Sequence, residues 1–276
     1  MKVLKVLIIN CRHYWSLKYL LPIFTFSFMY TLIMLSPLKE TSTHYNKVIP
    51  WSVWSLLFTN EFYIGVTMTS VLLLFSTLPF DNAMQSWLIL KVGYRKWGLA
   101  QMLYIVCSSL LFTVTHFILT IIYLIPYGLP LNTWGTLIKN LGKGHYQLVR
   151  PIYINLNSVA LDYYSTTRVV IQVAIMVFLI TCLIGMTVFV VNLIITRLGL
   201  ILSGGLILMS FFFSFANGLW IYFLSPLNWI NPYQIRTAPY SGLPTFLQVV
   251  SWAIGLIMIL GVVGYWILKR KELYYK

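Results

Sequence analysis

The sequence is poor in charge. Asp, Glu, Lys and Arg make up only 9% of its 276 residues, where a soluble domain carries about 25%. Acidic residues are the scarcest, five against 19 Lys and Arg, which leaves little room for a paired-carboxylate active site. His13, His44, His116 and His145 are scattered, and no H-E-x-x-H motif is present. The three cysteines, Cys11, Cys107 and Cys182, lack the even count and clustered spacing of a disulfide framework or a zinc site. There is no G-x-x-x-x-G-K-[ST] loop. The nearest glycine cluster, Leu141-Gly142-Lys143-Gly144-His145, has the wrong spacing and no Ser or Thr after its Lys. The chain therefore has no ATP site of its own, and neither a metal nor a cofactor is expected in it. No A-x-A-like site follows the short apolar run 3–9, so no cleavable signal peptide is expected.

Apolar residues are abundant. Fifty-nine per cent are AVILMFWYC, and the mean hydropathy is +0.83. A soluble globule of this size could not hide so much apolar surface. The composition is that of a polytopic membrane protein. The net charge of +14 would suggest a nucleic-acid partner in a soluble chain. Here most basic residues sit at the ends of apolar segments, where they act as membrane anchors, so no nucleic acid is expected.

The expected fold is an all-α membrane domain over 1–276, with six spans at about 17–37, 61–80, 98–126, 168–196, 198–225 and 248–268. Each has roughly the 20 residues needed to cross the hydrocarbon core. The third, fourth and fifth are long enough to tilt or project. Residues 2–16 read as an amphipathic helix lying among lipid headgroups. Val3, Leu4, Leu7, Ile8, Cys11, Tyr14 and Trp15 fall on one face; Lys2, Lys5 and Arg12 fall on the other. No sequence repeat at a fixed period is present.

Lys and Arg set the orientation. With the N-terminus inside, twelve of the 19 lie on the inner side and seven on the outer. Both termini are then cytoplasmic. The outer loops are 38–60, whose Trp51 and Trp54 fit an aromatic belt, the long 127–167, and the proline-rich 226–247. Within the long loop, 134–141 is expected to form a short surface helix ended by Gly142-Lys143-Gly144.

Inside the spans the polar groups are neutral: His116, Gln101, Gln172, Asn192 and Asn217. They suit pore-lining or helix–helix hydrogen bonds. Ion-coupled carriers usually hold intramembrane charge, which is almost absent here. The inner loop 81–97 holds a short helix, with Asp81 or Asn82 as N-cap and Gly93 as its end. Met84, Trp87, Leu88 and Lys91 follow at helical spacing, and Arg95 and Lys96 add to the basic cluster. Such a helix invites a protein partner.

An amphipathic first helix, six spans, and a short helix with a basic cluster between the second and third spans resemble the permease subunit of bacterial type-2 ABC exporters. Lys91-Val-Gly-Tyr-Arg-Lys-Trp97 is similar to the basic, Trp-ended stretch of such permeases. Val191-Asn192-Leu193 resembles their Asn-containing span, and Ser225-Pro226-Leu227-Asn228-Trp229 the Ser-Pro-x-x-Trp segment before their last span. The resemblance covers nearly the whole chain. It implies a homodimer or heterodimer of permeases, formed partly through the first and fifth spans, in a bacterial cell membrane. It also implies a separate cytoplasmic ABC ATPase that binds ATP and Mg. That partner would dock on Asn82, Met84, Gln85, Trp87, Leu88, Lys91, Arg95 and Lys96. Lys2, Lys5, Arg12 and Trp15 would hold the first helix at the lipid surface. The implied cargo is a peptide, an antibiotic or a lipid-like molecule. One departure is that the family's loop helix often carries an acidic residue, and here only Asp81 stands at its start. The alternatives are an ion-coupled carrier, which needs intramembrane charge or inverted repeats, and a polytopic membrane enzyme, which needs clustered Glu, His or Asp at one membrane face.

Overall fold

The computed structural model describes residues 2–80, 82–128, 133–147, 149–151, 154–157, 161–162, 165–215, 225–235 and 243–274. Among the described residues the regular structure is helical, with no strand. α1 (Lys2–Tyr14) breaks at Trp15 and Ser16 before α2 (Leu17–Tyr45). The single turn α3 (Val53–Leu57) leads into α4 (Glu61–Phe75). α5 (Ala83–Val92) runs into α6 (Tyr94–Leu124), and α7 (Gly135–Gly142) lies in the long loop. α8 (Thr166–Ile194) and α9 (Leu198–Phe215) form a tight hairpin. Two 3-10 turns, Pro226–Ile230 and Pro232–Gln234, come before α10 (Phe246–Tyr274).

Four of these helices, α2, α6, α8 and α10, are long and apolar enough to cross a membrane. α4 and α9 are apolar but shorter, at 15 and 18 residues. Several boundaries differ from the sequence expectation. The first apolar segment does not stop at 37. α2 continues through polar residues to Tyr45, with Thr41 and Thr43 hydroxyls bonded back to the Pro37 and Lys39 carbonyls at 2.8 and 3.2 Å. It ends at Asn46, whose φ of +50° is left-handed. α4 stops at Phe75 rather than 80, because Pro79 has no N–H with which to continue the ladder. α7 forms where expected and is amphipathic: Trp134, Leu137 and Ile138 are buried, while Thr136 is exposed and Lys139 partly so.

Close contacts fix how the helices run. Gly98 of α6 lies against Leu268 of α10, and Met102 lies against Gly264, so a step of four along α6 matches a step of four back along α10. The pair is antiparallel. Gly65 against Phe211, with Leu72 against Gly204, makes α4 and α9 antiparallel in the same way. Phe24 stacks on Phe112 at 5.5 Å, and Thr31 meets His116, so α2 and α6 run parallel. Met186 against Gly261, with Val190 against Gly264, makes α8 and α10 parallel. α8 is the central helix. Leu179 to Met186 are buried without a break, so every side of it meets protein. α10 is the opposite case, exposing Leu247, Met258, Ile259, Val262 and Trp266. Small residues at the crossings and outward apolar faces are what a membrane bundle requires, since lipid is as apolar as leucine.

Candidate functional site

The lower end of the bundle, where the basic residues gather, is built around α5. Its first turn is capped by Asn82, whose side-chain oxygen accepts from the Gln85 N–H at 3.0 Å. It ends at Gly93, whose φ of +86° side-chain-bearing residues rarely adopt, and which turns the chain straight into α6. The structure divides the sequence-expected docking residues into two sets. Trp87, Asn82, Lys91 and Lys96 are exposed, and Lys91 Nζ lies 4.6 Å from the centre of the Trp87 ring. Met84 and Arg95 are partly covered. Gln85 and Leu88 are buried, which corrects the expectation that Leu88 shares the outward stripe. Leu90, 86% exposed, takes its place beside Trp87. The spacing 83, 86, 87, 90 carried that signal. It was hidden because Leu88 and Leu90 are the same residue type.

Gln85 is held inside by a polar network. Its Nε2 donates to Asn10 Oδ1 at 2.7 Å, and its Oε1 accepts from Trp97 Nε1 at 2.8 Å and Gln101 Nε2 at 3.5 Å. One amide therefore joins α1, α5 and α6. Asn82 adds a second tie, donating from Nδ2 to Tyr14 Oη at 3.0 Å. Arg95 is paired with Glu272 of α10 at 2.6 Å, so its charge is satisfied within the chain. Lys271 donates to the Leu193 carbonyl at 2.9 Å, satisfying one of the orphan carbonyls at the end of α8.

α1 has three sides rather than two. Val6 and Asn10 are buried against the bundle. Leu4 and Ile8 are exposed apolar residues, and Lys2, Lys5 and Arg12 are exposed cations with no ion-pair partner among the described residues. Trp15, just beyond it, donates from Nε1 to Ser108 Oγ at 2.9 Å.

The interior polar residues do not converge. His116 is buried in the half of α6 away from α5. Trp54 Nε1, which can only donate, is 3.1 Å from Nδ1, so the ring proton sits on Nε2. Nε2 faces Tyr63 Oη at 3.2 Å and Thr31 Oγ1 at 3.4 Å, and those hydroxyls are 2.9 Å apart. Trp54 is thus fully buried, not part of a membrane-surface belt, because its indole N–H finds a partner inside. Asn192, near α5, donates to the Leu78 carbonyl at 2.7 Å and accepts from Gly199 N–H at 2.8 Å. Gln172 is buried on α8 near its start. Asn217 and Asp81 lie outside the described residues.

The arrangement defines an all-helical protein with helices of membrane-crossing length and a short, hydrogen-bonded helix presenting Trp87 and Leu90 at its basic end. Among the described residues no group of His, Cys, Asp and Glu side chains is placed to share a metal ion. No protein-family model, curated protein or solved structure matches the chain.

Proposed function

We propose that the chain is the permease subunit of a bacterial type-2 ABC exporter, crossing the cell membrane six times. In this reading the basic end is cytoplasmic, both termini lie there, and α1 rests at the headgroup layer with Leu4 and Ile8 toward lipid and its cations toward water. The alternating directions of α2, α4, α6, α8, α9 and α10 support six crossings, including the two short helices. The absence of a P-loop fits an ATPase carried by another chain, which binds ATP and Mg. Two permeases pair, as homodimer or heterodimer, and the cargo is a peptide, an antibiotic or a lipid-like molecule.

The observation that carries the reading is the two-sided character of α5. Its outer face leaves Leu90 and Trp87 exposed, with Lys91 of the same helix against the Trp87 ring, and aromatic residues dominate protein interfaces. Its inner face is tied by Gln85 to α1 and α6. A partner that shifts α5 therefore moves α1 and α6 with it. This is how ATP-driven closure outside the membrane reaches the spans.

The test is a mild-detergent pull-down of the full chain, analysed by mass spectrometry. A Walker-A ATPase is expected to co-purify, and the double variant Trp87→Ala, Leu90→Ala should lose it at least about tenfold, the loss of two exposed anchors. Leu88→Ala, which disturbs only the inner face, should retain more of the partner. A chain that purifies without an ATPase, or an ATPase indifferent to Trp87 and Leu90, overturns the reading.

A further inference from the structure

A cavity of about 160 Å³ lies where the end of α1, the first turns of α2, the end of α4 and the first half of α6 meet. Tyr14, Tyr19, Tyr104, Ser76 and Thr77 are hydroxyl-bearing residues of its lining, and Ile23 and Leu73 form an aliphatic flank. The Ser76 hydroxyl is already committed to the Leu73 carbonyl at 2.8 Å. Among the described residues no Lys, Arg, Asp, Glu or His lines it. Its back is the buried Tyr104 and its rim is Tyr19 and Leu73, which are 44% and 50% exposed. Phe26, seven residues on from Tyr19 and so on the same face of α2, is also exposed.

The aromatic rings on the wall pack edge to face and tilted against one another. Tyr14 lies 6.2 Å from Tyr19 and 6.3 Å from Tyr104, centre to centre. Phe80 stacks on Tyr14 at 3.5 Å, which holds that ring in place. Asn82 donates to the Tyr14 oxygen, leaving the Tyr14 proton free to be given to another acceptor. Burial holds that phenol above its usual pKa, so it stays a donor.

We propose that this cavity binds the neutral, hydroxyl-bearing ring headgroup of a membrane amphiphile. Tyr14 can donate, and the Tyr19 and Thr77 hydroxyls can both donate and accept, as a polyol requires. Tyrosine faces suit the C–H faces of a saturated ring, and one such ring fills the space. A charged headgroup would be desolvated without a counter-charge, which is unfavourable. The aliphatic flank and the bilayer-facing rim let the acyl chains stay in the membrane. If the exporter reading above holds, this is an entry site for cargo, and it narrows the cargo to the lipid-like class. The Tyr14–Asn82 bond then links an occupied cavity to the cap of the docking helix.

Binding is read by native mass spectrometry on the purified full chain. Three probes are offered: monoglucosyl-diacylglycerol, phosphatidylglycerol with the same acyl chains, and free glucose. The glycolipid is expected to bind at least about tenfold better than phosphatidylglycerol, the difference several hydrogen bonds provide. Tyr19→Leu and Thr77→Val, both at the open side, should reduce it to the phosphatidylglycerol level. Ile259→Ala, on the outer face of α10, should not. Melting temperatures establish that each variant is folded. Equal binding of both lipids, unchanged binding in the rim variants, or glucose competing as well as the glycolipid each overturns the proposal. The assay contains no ATPase, so its failure is distinct from failure of the exporter reading: a chain that binds the glycolipid yet captures no ATPase keeps the site and loses the transport role.

Discussion

The side chain of Asn192 holds two partners that are far apart in the chain, the Leu78 carbonyl before α5 and the Gly199 N–H at the start of α9. It pins the α8–α9 hairpin to the linker that carries α5. Replacing it with leucine leaves a buried carbonyl and a buried N–H unpaired, each costing about 1–3 kcal/mol. Asn192→Leu should therefore lower the melting temperature clearly in a detergent-solubilised thermal scan. Asn192→Asp, which keeps the acceptor for Gly199, should recover part of the loss. Equal melting of all three proteins would refute the pin. The sequence marked Asn192 and His116 as polar groups inside apolar runs, but not what they touch. The Asn192 partner lies 114 residues away, and the His116 partner Trp54 lies in a loop that read as membrane surface. A polar residue is visible along the chain; its partner is visible only once helices are placed side by side.

Among the elements, α1 and α5 show what periodicity gives and withholds. The period of α5 was plain, but both Leu88 and Leu90 are apolar, so hydropathy did not decide which faces inward. Gln85 decides it, because a buried amide must be hydrogen-bonded and its partners lie on α1 and α6. In α1, Leu4 and Asn10 trade the places their polarity suggests: Leu4 is exposed, and Asn10 is buried where it accepts from Gln85. Cys11 lies on that helix beside α6. Burial pushes its thiol up to about 11, the nearby Cys107 thiol adds to the rise, and a backbone hydrogen bond opposes it. An ordinary thiol titrates near 8.5, so at pH 8 Cys11 holds roughly two hundredfold less thiolate than a free cysteine. Because the folded chain keeps this proton more tightly, the stabilising contribution is full below the ordinary thiol value and is lost as pH rises toward 11. In a Cys107→Ser, Cys182→Ser background, maleimide labelling of Cys11 should keep rising with pH through 10. A plateau near pH 9 would contradict its burial against α6.

For the whole molecule, composition alone revealed the membrane class and the helical periodicity most of the crossing helices. It did not reveal that α2 continues to Tyr45 or that α4 stops early, because helix ends depend on caps and prolines as much as on hydropathy. In the proposed six-crossing reading, α5 and the long loop lie on opposite sides of the membrane. In a chain whose native cysteines are Ser, Ser86→Cys should react with an impermeant thiol reagent only after the cells are opened. Lys143→Cys should react in intact cells. Labelling of both from one side would break the six-crossing arrangement. The central position of α8 has a consequence for how the protein is made. This helix is mostly covered by protein, with only Ile171, Ile175 and Ile194 exposed among its large apolar residues, yet it is the most apolar of the four long ones. Its apolarity serves an earlier moment, when the ribosome has delivered it to the bilayer and α9 and α10 do not yet exist to cover it. In the proposed membrane bundle, the first two-thirds of the chain would wait with α8 covered by α4 and α6 on one side and open to lipid on the other, and the C-terminal helices would complete the assembly.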